Sequence, residues 1–392
     1  MSYSVFGLTG YWYGLCVGGS ALLYLCAVGV LGYKKRLPSG TVRLYGLLSL
    51  LLGFICARAL FCAVNYSYYA ETLGDLSAML RFWDGGFSMV GMLCGLVLAA
   101  FLTARACNVR FGATLDVAAV PMGLLIAGMR LAERFTALGV GKQVEAGVLG
   151  RSWLLVTEQL GVLTISRLAV YRYEAVAALA ILLVMLLLFP WRKPLKTHRP
   201  GDLAMVFFAL YGAVQVLLES MRDDGHMVMG FLRVEQLGAV LMPLLALLIF
   251  TLRLQHIRGG RWQVGLAWLL VPVAGMVIWM MLRPINHVLD LTGHPAIGWA
   301  ILGALALYMA FFLRIKGANA PMILLWLVAI GAVVGCVMLE FRIDGSDNLV
   351  RDYALMGCCC AVLFVAPCTL WRRLQNGIYD EEHIAVRIEE KA

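Results

Sequence analysis

Charge is scarce in this sequence, and no arrangement of its residues suits a metal ion. Asp, Glu, Lys and Arg make up 14% of 392 residues, where a soluble domain carries roughly 25%. A protein folded wholly in water is excluded. The 6 His include no His-x-x-x-His pair, and the 11 Cys include no Cys-x-x-Cys pair. Nearly all the Cys lie inside apolar runs. Cys358-Cys359-Cys360 are consecutive, so on a helix they fan out by about 100° each and cannot share one ion. The Cys read as small apolar residues, and neither a metal site nor a cofactor is expected. No strong internal repeat is visible.

Hydrophobic residues are abundant, at 62% of the chain. Apolar runs of roughly 17–23 residues recur, each able to span roughly 30 Å of hydrocarbon. Backbone in lipid must satisfy its own hydrogen bonds, so these runs are expected to be helices. The expected spans are 11–33, 43–64, 86–104, 112–131, 174–190, 202–220, 237–253, 262–282, 295–313, 321–339 and 353–371. The fold class is therefore an all-α polytopic membrane helix bundle of about eleven transmembrane helices. The first run lacks a basic leader and an Ala-x-Ala site, so it reads as a retained span.

Alternate connections are basic. Lys34-Lys35-Arg36, Arg105, Arg110, Arg192-Lys193, Arg253, Arg258, Arg314 and Arg372-Arg373 fall on one side. Glu71, Asp75, Asp223, Asp224, Asp344 and Asp347 fall on the other. The positive-inside rule places the N-terminus outside and the C-terminus in the cytoplasm. The net charge of +9 is mostly this topology signal, and no nucleic-acid partner is expected. Spans one to seven hold buried-looking polar residues and two long outer connections, 65–85 and 132–173. Spans eight to eleven are plainer. Arg258-Gly259-Gly260-Arg261 reads as the seam between the blocks. The charged end, Asp380 to Lys391, reads as a cytoplasmic segment.

Ionisable residues inside spans are costly and face a partner or a cavity. Here they gather near the outer ends of several helices: Tyr13, Arg58, Asp84, Arg130 with Glu133, Glu174, and Glu219 with Arg222. Tyr211, Gln215, Glu219 and Arg222 are spaced to share one helix face, a polar stripe descending from the outer surface. Gly91 and Gly95, four apart after the Trp83-Asp84-Gly85-Gly86 turn, suit close approach of a neighbouring helix. Two readings stand together at this point. The charges are helix-end and interface pairs, Arg130 with Glu133 and Glu219 with Arg222 at i,i+3. Alternatively they form a pocket in which Arg58, Arg130 and Arg222 bind an anionic lipid headgroup.

A series of pieces in order over about residues 9–253 resembles the prolipoprotein diacylglyceryl transferase family. They are Trp12-Tyr13-Gly14-Leu15, Ala57-Arg58 with Leu60-Phe61, and Trp83-Asp84-Gly85-Gly86-Phe87-Ser88. Next come Asp116 and Pro121 ahead of Arg130-Leu131, then Tyr173-Glu174-Ala175. Tyr211-Gly212 with Glu219, Arg222-Asp223-Asp224 and Gln236 complete them. The resemblance implies a seven-helix domain over 1–255 in the bacterial cytoplasmic (inner) membrane, with its site near the outer leaflet. An additional four-helix membrane region over 256–372 and a charged cytoplasmic tail over 373–392 have no counterpart in it. The family moves diacylglyceryl from phosphatidylglycerol to a lipobox Cys thiol, so phosphatidylglycerol and lipobox-containing prolipoproteins are the implied partners. Catalytic roles are implied for Arg130 and Tyr13, and Glu133 is expected to join them as a substitute base. Headgroup binding is implied for Arg58, Gly85, Gly86, Tyr211, Gln215, Glu219 and Arg222.

The departures fall on the chemistry. The family's His falls on Val90, one of its Arg on Gln215, its Asn on Glu133, the Gly before its Arg on Met129, and a Glu near Leu138. Losing a His removes a general base, and losing an Arg removes charge suited to phosphate. Glu133 is a substitute base to consider, and Arg134 or Arg58 a substitute cation. Three functions are therefore weighed: an active lipid-to-thiol transferase with a rebuilt site; a catalytically impaired descendant that binds phosphatidylglycerol or scaffolds membrane partners; and a transporter, which only the polar stripe supports.

Overall fold

A computed structural model describes residues 2–5, 8–136, 138–144, 153–160, 163–190, 199–225, 227–229, 232–257, 320–343 and 348–389. The chain divides into two compact units, Met1–Met242 and Pro243–Ala392.

The first unit is helical, with short hairpins between its helices. Strands β1 (Ser2–Val5) and β2 (Leu8–Tyr11) pair antiparallel. Helices α1 (Trp12–Lys34) and α2 (Ser39–Val64) follow. Helical turns at Tyr68–Thr72, Leu76–Leu80 and Phe82–Asp84 lead into α3 (Met89–Ala106). Next are α4 (Phe111–Ala119) and α5 (Met122–Ala132). Antiparallel strands β3 (Leu155–Leu160) and β4 (Leu163–Leu168) precede α6 (Val170–Leu188) and α7 (Asp202–Ser220). The small pair β5 (Val228–Met229) and β6 (Leu232–Arg233) runs into α8 (Val234–Ile257), whose residues from Pro243 on belong to the second unit. None of the three hairpins is visible in the hydropathy pattern.

Seven of these and later helices are long and apolar enough to cross a membrane among the described residues: α1, α2, α3, α6, α7, Val234–Leu254 of α8, and Leu349–Asn376. The protein is an integral membrane protein built of helices. The expected span 112–131 is not one straight helix. Phe111–Ala119 and Met122–Phe135 meet at 45°, and Pro121 at the break has no N–H to continue the ladder. The expected spans 262–282 and 295–313 and the expected seam lie outside the described residues.

Helix α7 is the centre of the unit. It is buried along nearly its whole length, whereas α1 and α6 leave Leu22, Leu23, Leu183 and Leu187 exposed, as lipid-facing residues should be. Its start is fixed by Asp116 of α4, whose Oδ2 accepts from Gly201 N at 2.8 Å and Oδ1 from Ala204 N at 2.9 Å. That carboxylate satisfies donors the helix cannot satisfy itself. The α2–α3 contact is as close as the Gly spacing predicts. A Cβ on Gly91 would lie 2.5 Å from Cys56 O, and one on Gly95 2.3 Å from Leu52 O.

In the second unit, α9 (Ala320–Ile343) packs on α10 (Leu349–Glu389). Trp326 is fully buried and donates from Nε1 to Thr251 Oγ1 at 3.0 Å.

Candidate functional site

The polar stripe on α7 faces inward, and each member meets residues from other elements. Gln215 Nε2 donates to Glu174 Oε1 of α6 at 2.8 Å and to Glu219 Oε2 at 3.0 Å. Arg222, two residues past the helix, donates from Nη1 to Glu174 Oε2 at 2.8 Å and from Nη2 to Asp224 Oδ2 at 2.7 Å. Its Nη2 also lies 3.2 Å from Glu133 Oε2. Arg130, near the end of α5, donates to Glu133 Oε1 at 2.6 Å and sits 3.3 Å from Glu174 Oε2. The expected i,i+3 pairing of Glu219 with Arg222 is loose, at 4.0 Å. Glu219 is held instead by Arg233, whose Nε donates to Glu219 Oε1 at 2.8 Å and Nη2 to Asp224 Oδ1 at 2.5 Å.

Three guanidiniums (Arg130, Arg222, Arg233) thus meet four carboxylates (Glu133, Glu174, Glu219, Asp224), leaving one formal negative charge. All of these side chains are buried or nearly so. A buried charge persists only when paired and hydrogen-bonded, and the network meets that condition almost throughout. Burial alone would raise the Asp224 carboxyl, but the charge of Arg222 and the hydrogen bond from Arg233 outweigh it and hold the group well below the usual carboxylate range. Gly139 closes the network from the segment after α5. Its φ is +77°, its N–H donates to Asp224 Oδ2 at 3.0 Å, and a Cβ there would lie 2.4 Å from Glu133 Oε2.

Three buried polar atoms in this group make no hydrogen bond: Arg130 Nε, Glu133 Oε2 and Tyr211 Oη. The first two have charged neighbours at 3.3 and 3.2 Å without hydrogen-bond geometry. Tyr211 is 4% exposed, its ring stacks on Phe207, and it lies in electrostatic reach of Arg130 and Glu174. Two donors and one acceptor therefore retain hydrogen-bonding capacity that a ligand or water could use, since buried polar groups usually find hydrogen-bond partners. Tyr13, half-buried at the start of α1, lies in electrostatic reach of Glu133, Arg130 and Arg222. Beside it Trp12 stacks on Phe135 at 6.4 Å between centroids.

Arg58, Gly85 and Gly86 form a different cluster. The Arg58 guanidinium donates to the carbonyls of Met79 (3.0 Å), Ala78 (3.2 Å), Arg81 (2.9 Å), Gly86 (3.1 Å) and Gly85. It pins the connection 78–86 onto α2, and its hydrogen bonds join none of the Arg130 group. Gly85 and Gly86 adopt φ of +80° and +78°, and a Cβ on Gly86 would lie 2.3 Å from the Phe61 ring. Past that turn, Ser88 Oγ and the Glu235 carboxylate cap α3 together. Ser88 accepts from Gly91 N at 3.0 Å, and Glu235 accepts from Met89 N and Val90 N at 2.9 and 3.0 Å. Val90 itself presses on α8, where a Cβ on Gly238 would lie 2.4 Å from Val90 Cγ2.

Sequence reasoning passed over Arg233, Asp224 and Glu235 as site residues. Arg233-Val234-Glu235 does set two opposite charges at the mouth of an apolar helix, a signal of the same kind as Glu219 with Arg222. Among the described residues, no group of three His, Cys, Asp or Glu side chains could hold a metal ion.

Comparison with known proteins gives one answer. Residues 2–252 match the family described as prolipoprotein diacylglyceryl transferase. The chain is 26% identical over 240 residues to phosphatidylglycerol–prolipoprotein diacylglyceryl transferase of Streptococcus equi subsp. zooepidemicus (strain MGCS10565), covering 60% of this chain and 88% of that protein. It is 25% identical over 248 residues to the protein of the same name from Bacillus velezensis (63% and 89% covered), and 24% over 238 residues to that of Clostridioides difficile strain 630 (60% and 88%). The matched region holds the whole buried network and the Arg58 clamp, and the chain belongs to the prolipoprotein diacylglyceryl transferase family.

Proposed function

We propose that this chain transfers diacylglyceryl from phosphatidylglycerol to the thiol of a lipobox Cys, on the outer side of a bacterial inner membrane. The observation that carries the reading is the set of buried polar atoms on Arg130, Tyr211 and Glu133 that make no hydrogen bond inside a fixed charged network. Arg130 Nε and Tyr211 Oη are donors placed to receive phosphate oxygen, where negative charge grows as the ester C–O bond breaks. Glu133 Oε2 is an acceptor for the thiol proton, taking the place of the base that Val90 lacks. The thiolate sulfur then bonds to the diacylglyceryl carbon, and glycerol phosphate leaves. Glu174, Gln215, Glu219 and Arg222 hold these groups in place, and Tyr13 contacts the headgroup from α1. Arg58 acts through Gly85 and Gly86, fixing the rim rather than binding phosphate. Arg134, exposed beside Glu133, supplies a cation at the surface.

In this reading the N-terminus is outside, the C-terminus cytoplasmic, and about eleven spans cross the membrane. Residues 1–255 are the transferase-like domain, 256–372 an added membrane region, and 373–392 a cytoplasmic tail. The test is glycerol phosphate release from phosphatidylglycerol by the purified protein with a lipobox peptide. The expected result is release that needs the peptide Cys and is lost in Arg130→Ala; release unchanged in that variant removes the role given to Arg130.

A second reading is a descendant that binds phosphatidylglycerol, or scaffolds membrane partners, without turnover. It is favoured by the charge balance. Relative to the family pattern, Gln215 and Glu133 each shift the site one charge towards negative, and every guanidinium of the network already faces carboxylates. Lipid binding without glycerol phosphate release is its expected signature.

A further inference from the structure

The run Cys358-Cys359-Cys360 has no part in the site above, yet α9 places a fourth thiol against it. Cys336 Sγ and Cys360 Sγ are 4.0 Å apart. Both residues are buried, at 3% and 5% exposure. The two helices approach this closely because Gly335 precedes Cys336: a Cβ on Gly335 would lie 2.8 Å from Cys359 Sγ. The roughly 100° fan of consecutive helical residues then distributes the run. Cys358 is exposed, Cys359 is half-buried with its Sγ against Gly335 and interacting with Cys336, and Cys360 is buried facing Cys336 across the α9 interface. Filling that interface needs only a small apolar side chain, which Ala would provide. Two thiols opposed across it at near-contact distance offer in addition a bond that Ala cannot form.

We infer that Cys336 and Cys360 are a modification site: a dithiol that a low-molecular-weight disulfide oxidises to an interhelical disulfide joining α9 to α10. One thiolate attacks the reagent's S–S bond, forming a mixed disulfide and releasing one thiol. The other thiolate displaces the second half of the reagent. Two protein thiols and one reagent disulfide become one protein disulfide and two reagent thiols, with no other oxidant. Forming the bond closes the sulfurs from 4.0 Å to about 2.05 Å. The bond would fix α9 and α10 in one register.

The test uses the full chain in membrane vesicles, treated with 2,2′-dipyridyl disulfide, then alkylated with N-ethylmaleimide, digested with trypsin and weighed. Residues 317–342 contain Cys336 alone, and 352–372 contain Cys358, Cys359, Cys360 and Cys368. The expected result is a joined species of these two peptides that reduction separates. It should vanish in Cys336→Ala and in Cys360→Ala and persist in Cys358→Ala and Cys368→Ala. Cys336 recovered as a free thiol or a single adduct, with no joined species, overturns the inference. So does a joined species that persists in Cys360→Ala.

Discussion

Arg222 Nη1 donates to Glu174 Oε2 at 2.8 Å, and that bond ties the segment after α7 to α6. Both side chains are almost wholly buried. Removing one partner strips a buried charge of one of its counter-charges; breaking a buried pair this way costs up to about 3–5 kcal/mol, whereas replacing both by apolar groups of similar size is often near neutral. Arg222→Met is therefore expected to lower the unfolding temperature in detergent sharply. Arg222→Met with Glu174→Leu is expected to cost less than the sum of the two single changes. Additive losses would show that the pair is not energetically coupled.

Acid should weaken the same network through Asp224. Its folded carboxyl is held below the usual range by Arg222 and Arg233, against the opposing effect of burial. A depressed folded pKa gives stability that is complete above the unfolded value, about 4, and is lost as the pH falls towards the folded value. Unfolding temperature should drop from about pH 5 downward, and more steeply in the wild type than in Asp224→Asn. Parallel curves for the two proteins would contradict this.

Arg58 should act on the order of the 78–86 connection rather than on the buried network. Arg58→Lys keeps the charge but cannot serve five carbonyls arranged around a planar fork. Faster amide exchange and proteolysis are expected at residues 78–86, with the α7 segment protected as before. Loss of protection along α7 instead would place Arg58 in the central network.

The α2–α3 contact should not tolerate a single added methyl. A Cβ on Gly95 would lie 2.3 Å from the Leu52 carbonyl oxygen, and backbone cannot rotate away as a side chain can. Gly95→Ala is expected to destabilise by about 1–3 kcal/mol through overpacking, while Gly14→Ala, with open space around it, should change little. Equal unfolding temperatures for the two variants would contradict the packing.

Much of the buried polar network was legible because a bilayer makes polar residues conspicuous. Tyr211, Gln215 and Glu219 stand four apart in an apolar run, and that spacing alone puts them on one face. Gly91 and Gly95 announced a close helix contact in the same way. Arg233, Asp224 and Glu235 were missed because their partners are set by tertiary folding. Glu235 caps Met89 and Val90 from far along the chain, and Arg233 reaches Glu219 only after β5 and β6 turn the chain back. Arg58 was grouped with Arg130 because the charge pattern reads both as lying near the same ends of their helices. Depth along a helix carries no information about direction around it, and Arg58 turns to the 78–86 carbonyls. The bend at Pro121 escaped for a related reason, since hydropathy stays high across the break.

The most direct measurement is the intact mass of a lipobox peptide after incubation with the purified protein and phosphatidylglycerol. Transfer requires a gain equal to one diacylglyceryl group on the Cys sulfur, absent with a Cys→Ser peptide and strongly reduced in Glu133→Gln. An unmodified peptide beside folded, lipid-binding protein would contradict transfer to such a thiol by this chain.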